Sequence, residues 1–317
     1  MEFNNKNKNT LIKMTKNKKL IDFSIGDIDK IQELFYVQYD VDYWINKVNH
    51  IKFTHDNAEF LIGILKIDNL EKYKRMLRTE LHFTYFQMIE TLFELIFAIT
   101  EHEKELWLAL TFSNNGKTKY FSKTYEKIQK FSKNELTSPN LSSTEKMVKN
   151  GKKINVPLLI LVLYSNYWVS SDEDKIEKNF KNIMRYLKIF AKDFSDRGEY
   201  NAYKHSLRLF NSYFSFGLIG KNSEKISLGE SNDSINYLEQ QKIDGDINQV
   251  QLTRKPFDFN IDFERCNIIY FLIKNIIVSR KHEFSNNYKF DVSELTDFSE
   301  EYVEIRYYGM GKIGNTM

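Results

Sequence analysis

The chain has 317 residues, with 46 basic and 43 acidic side chains, a net charge of +3 and one cysteine, Cys266. That balance is too mild for a dedicated nucleic-acid coat, so a polyanion site has to be local, and a lone thiol excludes an intramolecular disulfide and a thiolate-rich zinc site. Hydrophobic residues make up 42% and aromatics 15%, while Gly (12) and Pro (3) are scarce, so the turns of a many-stranded sandwich or barrel are missing and long helices packed through rings are expected.

Residues 1–20 hold Lys6, Lys8, Lys13, Lys16, Lys18 and Lys19 among asparagines and read as a flexible basic arm. No secretory apolar run follows these lysines, which together with the single cysteine points to the cytosol. The apolar spacing over 28–48 predicts one or two helices. His50 and His55, five apart and without cysteine or a carboxylate pair nearby, receive no role. Residues 69–101 contain no Gly or Pro and are apolar around most of a helical circumference, which predicts one long buried helix. Glu90 and Glu94 stand one turn apart inside it and need partners if buried. Their spacing on a single helix is wrong for the two flanking carboxylates of a glycosidase.

An apolar segment over 107–112 and a helix over 120–131 follow. The polar stretch 132–154 is the best linker or long loop. It would separate an N-terminal helical part, 21–131, from a C-terminal one, 155–317, unless the two fold as one domain. Residues 156–169 are apolar on all sides, consistent with a buried helix or a buried strand. Its most apolar part, 156–164, and the run over 268–278 are too short to span a bilayer, so no membrane partner is expected. Ser170, Ser171 and Asp172 cap an amphipathic helix that carries Ile176 to Ala191. Short β-branched runs over 226–228, 235–238 and 250–252 predict a small inserted hairpin or meander, 259–283 returns to helix, and 302–308 reads as an edge strand. The expected fold class is mainly α, a helical bundle with a small inserted β-hairpin or meander.

Chemistry concentrates in 199–215. As one helix, this stretch would place Asn201, Lys204, His205 and Arg208 in one arc of roughly 100°, opposite Tyr203, Leu207, Phe210 and Phe214. An imidazole moves protons near neutral pH, and a neighbouring cation holds a phosphate, which is what metal-free RNA cleavage needs. One histidine is half of such a site, and a symmetric dimer supplies the second. Glu90 or Glu94 would orient the basic face by packing beside it. The plain alternative is that this arc is the solvated side of an amphipathic helix.

Long helices around Asn201-Ala202-Tyr203-Lys204-His205 resemble the HEPN (higher eukaryote and prokaryote nucleotide-binding) superfamily over roughly 69–283. The family places an Arg four to six residues before its His, whereas this chain has Asn201 there and its nearest upstream Arg at Arg197. The resemblance implies RNA binding or metal-independent RNA cleavage, at a dimer cleft, in a phage-defence or toxin system. His205 would be the general acid or base, Arg208 and Lys204 the phosphate contacts, and Asn201 an orienting amide. The competing expectation is a non-catalytic helical scaffold for a protein partner. A small-molecule enzyme with a pocket between helices is a third class, but nothing in the sequence names a cofactor or a metal.

Overall fold

The computed structural model describes residues 25–102, 106, 110, 124–135, 140–165, 169–204, 209–210, 217–219, 225–227, 234–243 and 246–284. The basic arm 1–20, the run 107–112 apart from Leu110, and the edge strand 302–308 lie outside them. In chain order the elements are α1 (Ile25–Gln38), α2 (Asp42–Asp56), α3 (Ala58–Ile64), α4 (Leu70–His102), α5 (Thr124–Ser132), β1 (Thr144–Lys149), β2 (Lys152–Pro157), α6 (Leu158–Tyr164), α7 (Glu173–Ser195) and α8 (Gly198–Lys204). There follow β3 (Leu209–Phe210), β4 (Gly217–Ile219), β5 (Lys225–Ser227), β6 (Ser234–Ile243), β7 (Asp246–Pro256) and α9 (Phe259–Phe284). The fold is mainly helical, with small antiparallel sheets ordered β1-β2, β3-β6-β7 and β4-β5.

Local signals set most boundaries. Asn69 accepts the Lys72 N–H through Oδ1 at 2.9 Å and starts α4. Asp172 Oδ1 takes the N–H groups of Asp174 and Lys175 at the start of α7, and Asp258 Oδ1 those of Asn260 and Ile261 at the start of α9. The ambiguous 156–169 run resolves into both alternatives, β2 ending at Pro157 and α6 beginning at Leu158. Pro157 cannot donate to a ladder, and its fixed φ of −59° suits the residue before a helix. Within 132–154, the strands flanking Asn150-Gly151 form a hairpin in register from Thr144↔Pro157 to Lys149↔Lys152.

Two compact units divide the chain, one within Met1–Val41, Thr91–Met184 and Phe271–Thr296, the other within Asp42–Glu90, Arg185–Tyr270 and Asp297–Met317. In the first, Phe93 and Phe97 of α4 pack against each other at a tilt, and Phe131 of α5 meets Phe93 edge-on. Leu159, Leu163 and Ile276 are buried there, and Ser279 and Arg280 of α9 donate to the Leu163 and Val162 carbonyls. In the second, the core is aromatic, with Phe83, Tyr85, Phe86, Phe190, Phe194 and Tyr200 buried. α4 has the length and composition to cross a membrane, but 72% of its most apolar window is buried inside the protein, as in a core helix.

The helix expected over 199–215 is corrected by the structure. α8 ends at Lys204, and Leu209 and Phe210 form a strand that pairs with Tyr237 and Asn236 of β6. The apolar spacing of 199–215 fits a helix, but Leu209 and Phe210 satisfy their backbone groups in a sheet whose Asn236 and Tyr237 are buried, and tertiary pairing overrides local periodicity. Phe210 therefore does not share a helical face with Tyr203.

Candidate functional site

The second unit carries two charge clusters, one at the surface and one buried, and α8 belongs to both. At the surface, Glu90 of α4 accepts hydrogen bonds from the Tyr200 hydroxyl and from Lys204 Nζ, each 3.1 Å from Oε2. Arg197 NH1 lies 3.7 Å from its other oxygen. Lys204 Nζ also sits 4.2 Å from the centre of the Tyr200 ring, and the Arg197 guanidinium 4.6 Å from that of Phe194, so both cations rest on aromatic faces. The Lys204 side chain is 44% exposed, Asn201 is exposed, and Glu90 and Arg197 are mostly covered.

Rings press α8 onto α4. Tyr200 stacks on Phe86 at 5.4 Å and Tyr203 on Phe83 at 3.9 Å. The Tyr203 hydroxyl donates to Glu80 at 3.1 Å, and Lys47 bridges the same carboxylate. Burial, reinforced by Glu80, raises the Tyr203 pKa, so the phenol stays a donor. Tyr203 and Tyr200 thus anchor the helix while Asn201 and Lys204 face outward.

Of the residues singled out by sequence, the structure brings Glu90 and Lys204 together, with Asn201 exposed on the same short helix. Glu94 is half-buried on α4 in the first unit. His205 and Arg208 lie outside the described residues.

The buried cluster was not singled out. His82 Nδ1 meets Asp262 Oδ2 at 2.6 Å, and its Nε2 points to Glu199 Oε1 at 3.8 Å, an ion-pair distance too long for a hydrogen bond. Lys255 Nζ lies 2.8 Å from that Glu199 oxygen and also bridges Asp196 at 3.2 Å. Nearby, Asp193 accepts from the Tyr85 hydroxyl and from Arg265 NH1, both at 2.8 Å. Glu199 and Asp262 are wholly buried, and the ring of Phe257 covers His82 at 4.6 Å. These groups line a partly open cavity of about 100 Å³.

Buried His82 and Arg265 and half-buried Lys255 face buried Glu199 and Asp262 and half-buried Asp193, with exposed Asp196 at the rim, so the charges of the inner six balance only while His82 is protonated. Burial pulls the imidazole pKa down, but the Asp262 carboxylate and Glu199 outweigh it and raise the value to about 9. A histidine held as imidazolium at neutral pH is a poor proton acceptor, so His82 is a charged cross-link between α4, α8 and α9 rather than a general base. Asp193 is shifted upward by burial, which Arg265 and Tyr85 counter, and burial drives the Tyr85 hydroxyl and the Cys266 thiol well up, leaving both protonated.

One sequence signal for this cluster existed: His82 stands among Leu81, Phe83 and Phe86 on an otherwise apolar helix, where an imidazole needs a partner. Its partners Glu199, Lys255 and Asp262 lie far along the chain with no spacing that links them. Among the described residues no group of three or more His, Cys, Asp or Glu side chains is placed to hold a metal. Comparison of the chain with family models, curated proteins and solved structures finds no match.

Proposed function

We propose that the protein is a HEPN-like RNA-binding protein whose site is the exposed side of α8, acting as a metal-independent endoribonuclease in phage defence or a toxin system. The observation that supports this reading is the half-exposed Lys204 ammonium, held by Glu90 and the Tyr200 ring beside the exposed amide of Asn201. An exposed cation on a helix pinned by two stacked tyrosines is suited to a phosphate. His205, next in the sequence, would move the proton, with Arg208 as a further phosphate contact. Because one histidine serves one side of an in-line displacement, a homodimer would complete the acid–base pair.

The test is cleavage of total cellular RNA and of purified tRNA in EDTA by the wild type and by His205→Ala, with both checked for folding by circular dichroism. Cleavage abolished in a folded variant supports the nuclease. Binding without cleavage by either protein supports an RNA-binding module, and equal cleavage by both removes His205 from the reaction.

A second reading, a non-catalytic helical scaffold for a protein partner, is favoured by α3, where Phe60 is 74% and Ile64 63% exposed one helical turn apart. Loss of partner capture on Phe60→Ser, with RNA binding absent from the wild type, would support it.

A further inference from the structure

The hairpin β1-β2, in the first unit, carries chemistry that the reading of α8 does not use. Its strands hold Lys146, Lys149, Lys152 and Lys153 against one acid, Glu145, and no aromatic residue. Asn150 and Gly151 take positive φ, 52° and 76°, giving the primed two-residue turn that matches strand twist and stiffens the ribbon. Glycine supplies the second of these angles without strain. The root is fixed: the Ser143 and Leu141 carbonyls accept the N–H groups of Leu158 and Leu159 at 2.7 and 3.1 Å, and Ile154 and Val156 are buried. The far end of the ribbon stands in solvent.

Register decides which side chains travel together. Lys146 and Lys153 share one face with Val148 and Asn155 and sit diagonally, about 7–8 Å apart. All four are exposed, Val148 by 69%. Lys146, Lys152 and Lys153 form no ion pair among the described residues. At the tip half-buried Lys149 stands opposite exposed Lys152. With six residues per strand the ribbon is about 20 Å long, and its strands are about 5 Å apart. The major groove of B-form DNA admits a two-stranded ribbon of this kind, with its lysines reaching the flanking phosphates, whereas the deep, narrow major groove of A-form RNA does not. Single strands are bound through aromatic stacking platforms, which these strands lack. A membrane surface would ask for more apolar area than Val148 offers.

We propose that the 144–157 hairpin is an interaction surface that grips the phosphate backbone of double-stranded DNA. It requires nothing of α8 and would hold whether or not the chain cuts RNA.

Fluorescence anisotropy with labelled 20-base-pair DNA and RNA duplexes tests this on the full chain, comparing wild type, Lys146→Ala/Lys153→Ala and the corresponding double Arg variant. The Ala variant should bind DNA about tenfold more weakly near 0.1 M salt, with a log Kd against log salt slope shallower by about 1.8, and the Arg variant should bind as the wild type does. Thermal melts check that the variants are folded. The DNA duplex should bind more tightly than the RNA duplex, and lysine-dependent binding of the RNA duplex alone would overturn the proposal. Wild type that binds neither duplex, an unchanged Ala variant, or lysine-dependent binding only to phosphatidylserine vesicles would overturn the proposal. Lysine-dependent binding of the DNA duplex without tRNA cleavage supports it and counts against the nuclease reading alone.

Discussion

His82 Nδ1 lies 2.6 Å from Asp262 Oδ2, a buried contact between residues 180 positions apart. It joins α4 to α9, and through Glu199 and Lys255 the same charges reach α8 and β7. Removing one member of such a set leaves the others buried and uncompensated. His82→Ala should therefore destabilise the protein by about 3–5 kcal/mol in urea unfolding. His82→Leu combined with Asp262→Asn, which removes a charge of each sign, should recover a substantial part of that loss. Losses of His82→Leu and Asp262→Asn that simply add in the double variant would show that the pair is not coupled.

The same histidine predicts a pH dependence. Its pKa is raised from about 6.5 in the unfolded chain to about 9 in the fold. The stabilisation is fully present below the unfolded value and is lost as pH rises through the folded one. Thermal melts of the wild type should fall between pH 6.5 and 9.5, with His82 contributing on the order of 3 kcal/mol. The His82→Leu/Asp262→Asn variant should lose this part of the slope. A parallel decline in both proteins would assign it to other groups.

Tyr203 anchors the outer turn of α8 by stacking 3.9 Å from Phe83. Tyr203→Ala should cost about 2–4 kcal/mol, and Tyr203→Phe, which loses only the bond to Glu80, about 1 kcal/mol. Chemical denaturation of the two variants separates ring from hydroxyl. A larger loss from Tyr203→Phe would reverse that assignment.

Glu90 neutralises part of the basic surface that it also organises. Glu90→Gln keeps a hydrogen-bond acceptor for Tyr200 and removes the charge opposing Lys204, so RNA affinity should rise by a few-fold with little change in stability. Lys204→Ala should weaken binding and make the salt slope shallower by about 0.7–0.9, the share of one phosphate contact. Filter binding of tRNA at several salt concentrations measures both. Identical slopes for Lys204→Ala and wild type would take Lys204 out of the phosphate contacts.

The fold class and the long helices were legible in the sequence because each rests on local causes. The absence of Gly and Pro from 69–101, the Asp172 cap and the apolar spacing over 176–191 act within a few residues and survive in the folded protein as α4 and α7. β6 and β7 were visible as β-branched runs around Asp244-Gly245, though the paired ladder extends well beyond them. Glu90 was legible as a carboxylate needing a cation, since a charge inside an apolar helix carries its own demand for a partner. Tertiary structure alone decided the rest. Whether Leu209 and Phe210 continue a helix or join a sheet depends on the backbone groups that β6 presents, which no neighbour in sequence encodes. The buried charge set is non-local in the same way: His82, Glu199, Lys255 and Asp262 each read as an ordinary polar residue along the chain. Only packing that excludes water and brings opposite charges within 4 Å makes their ionisation states and their stability depend on one another.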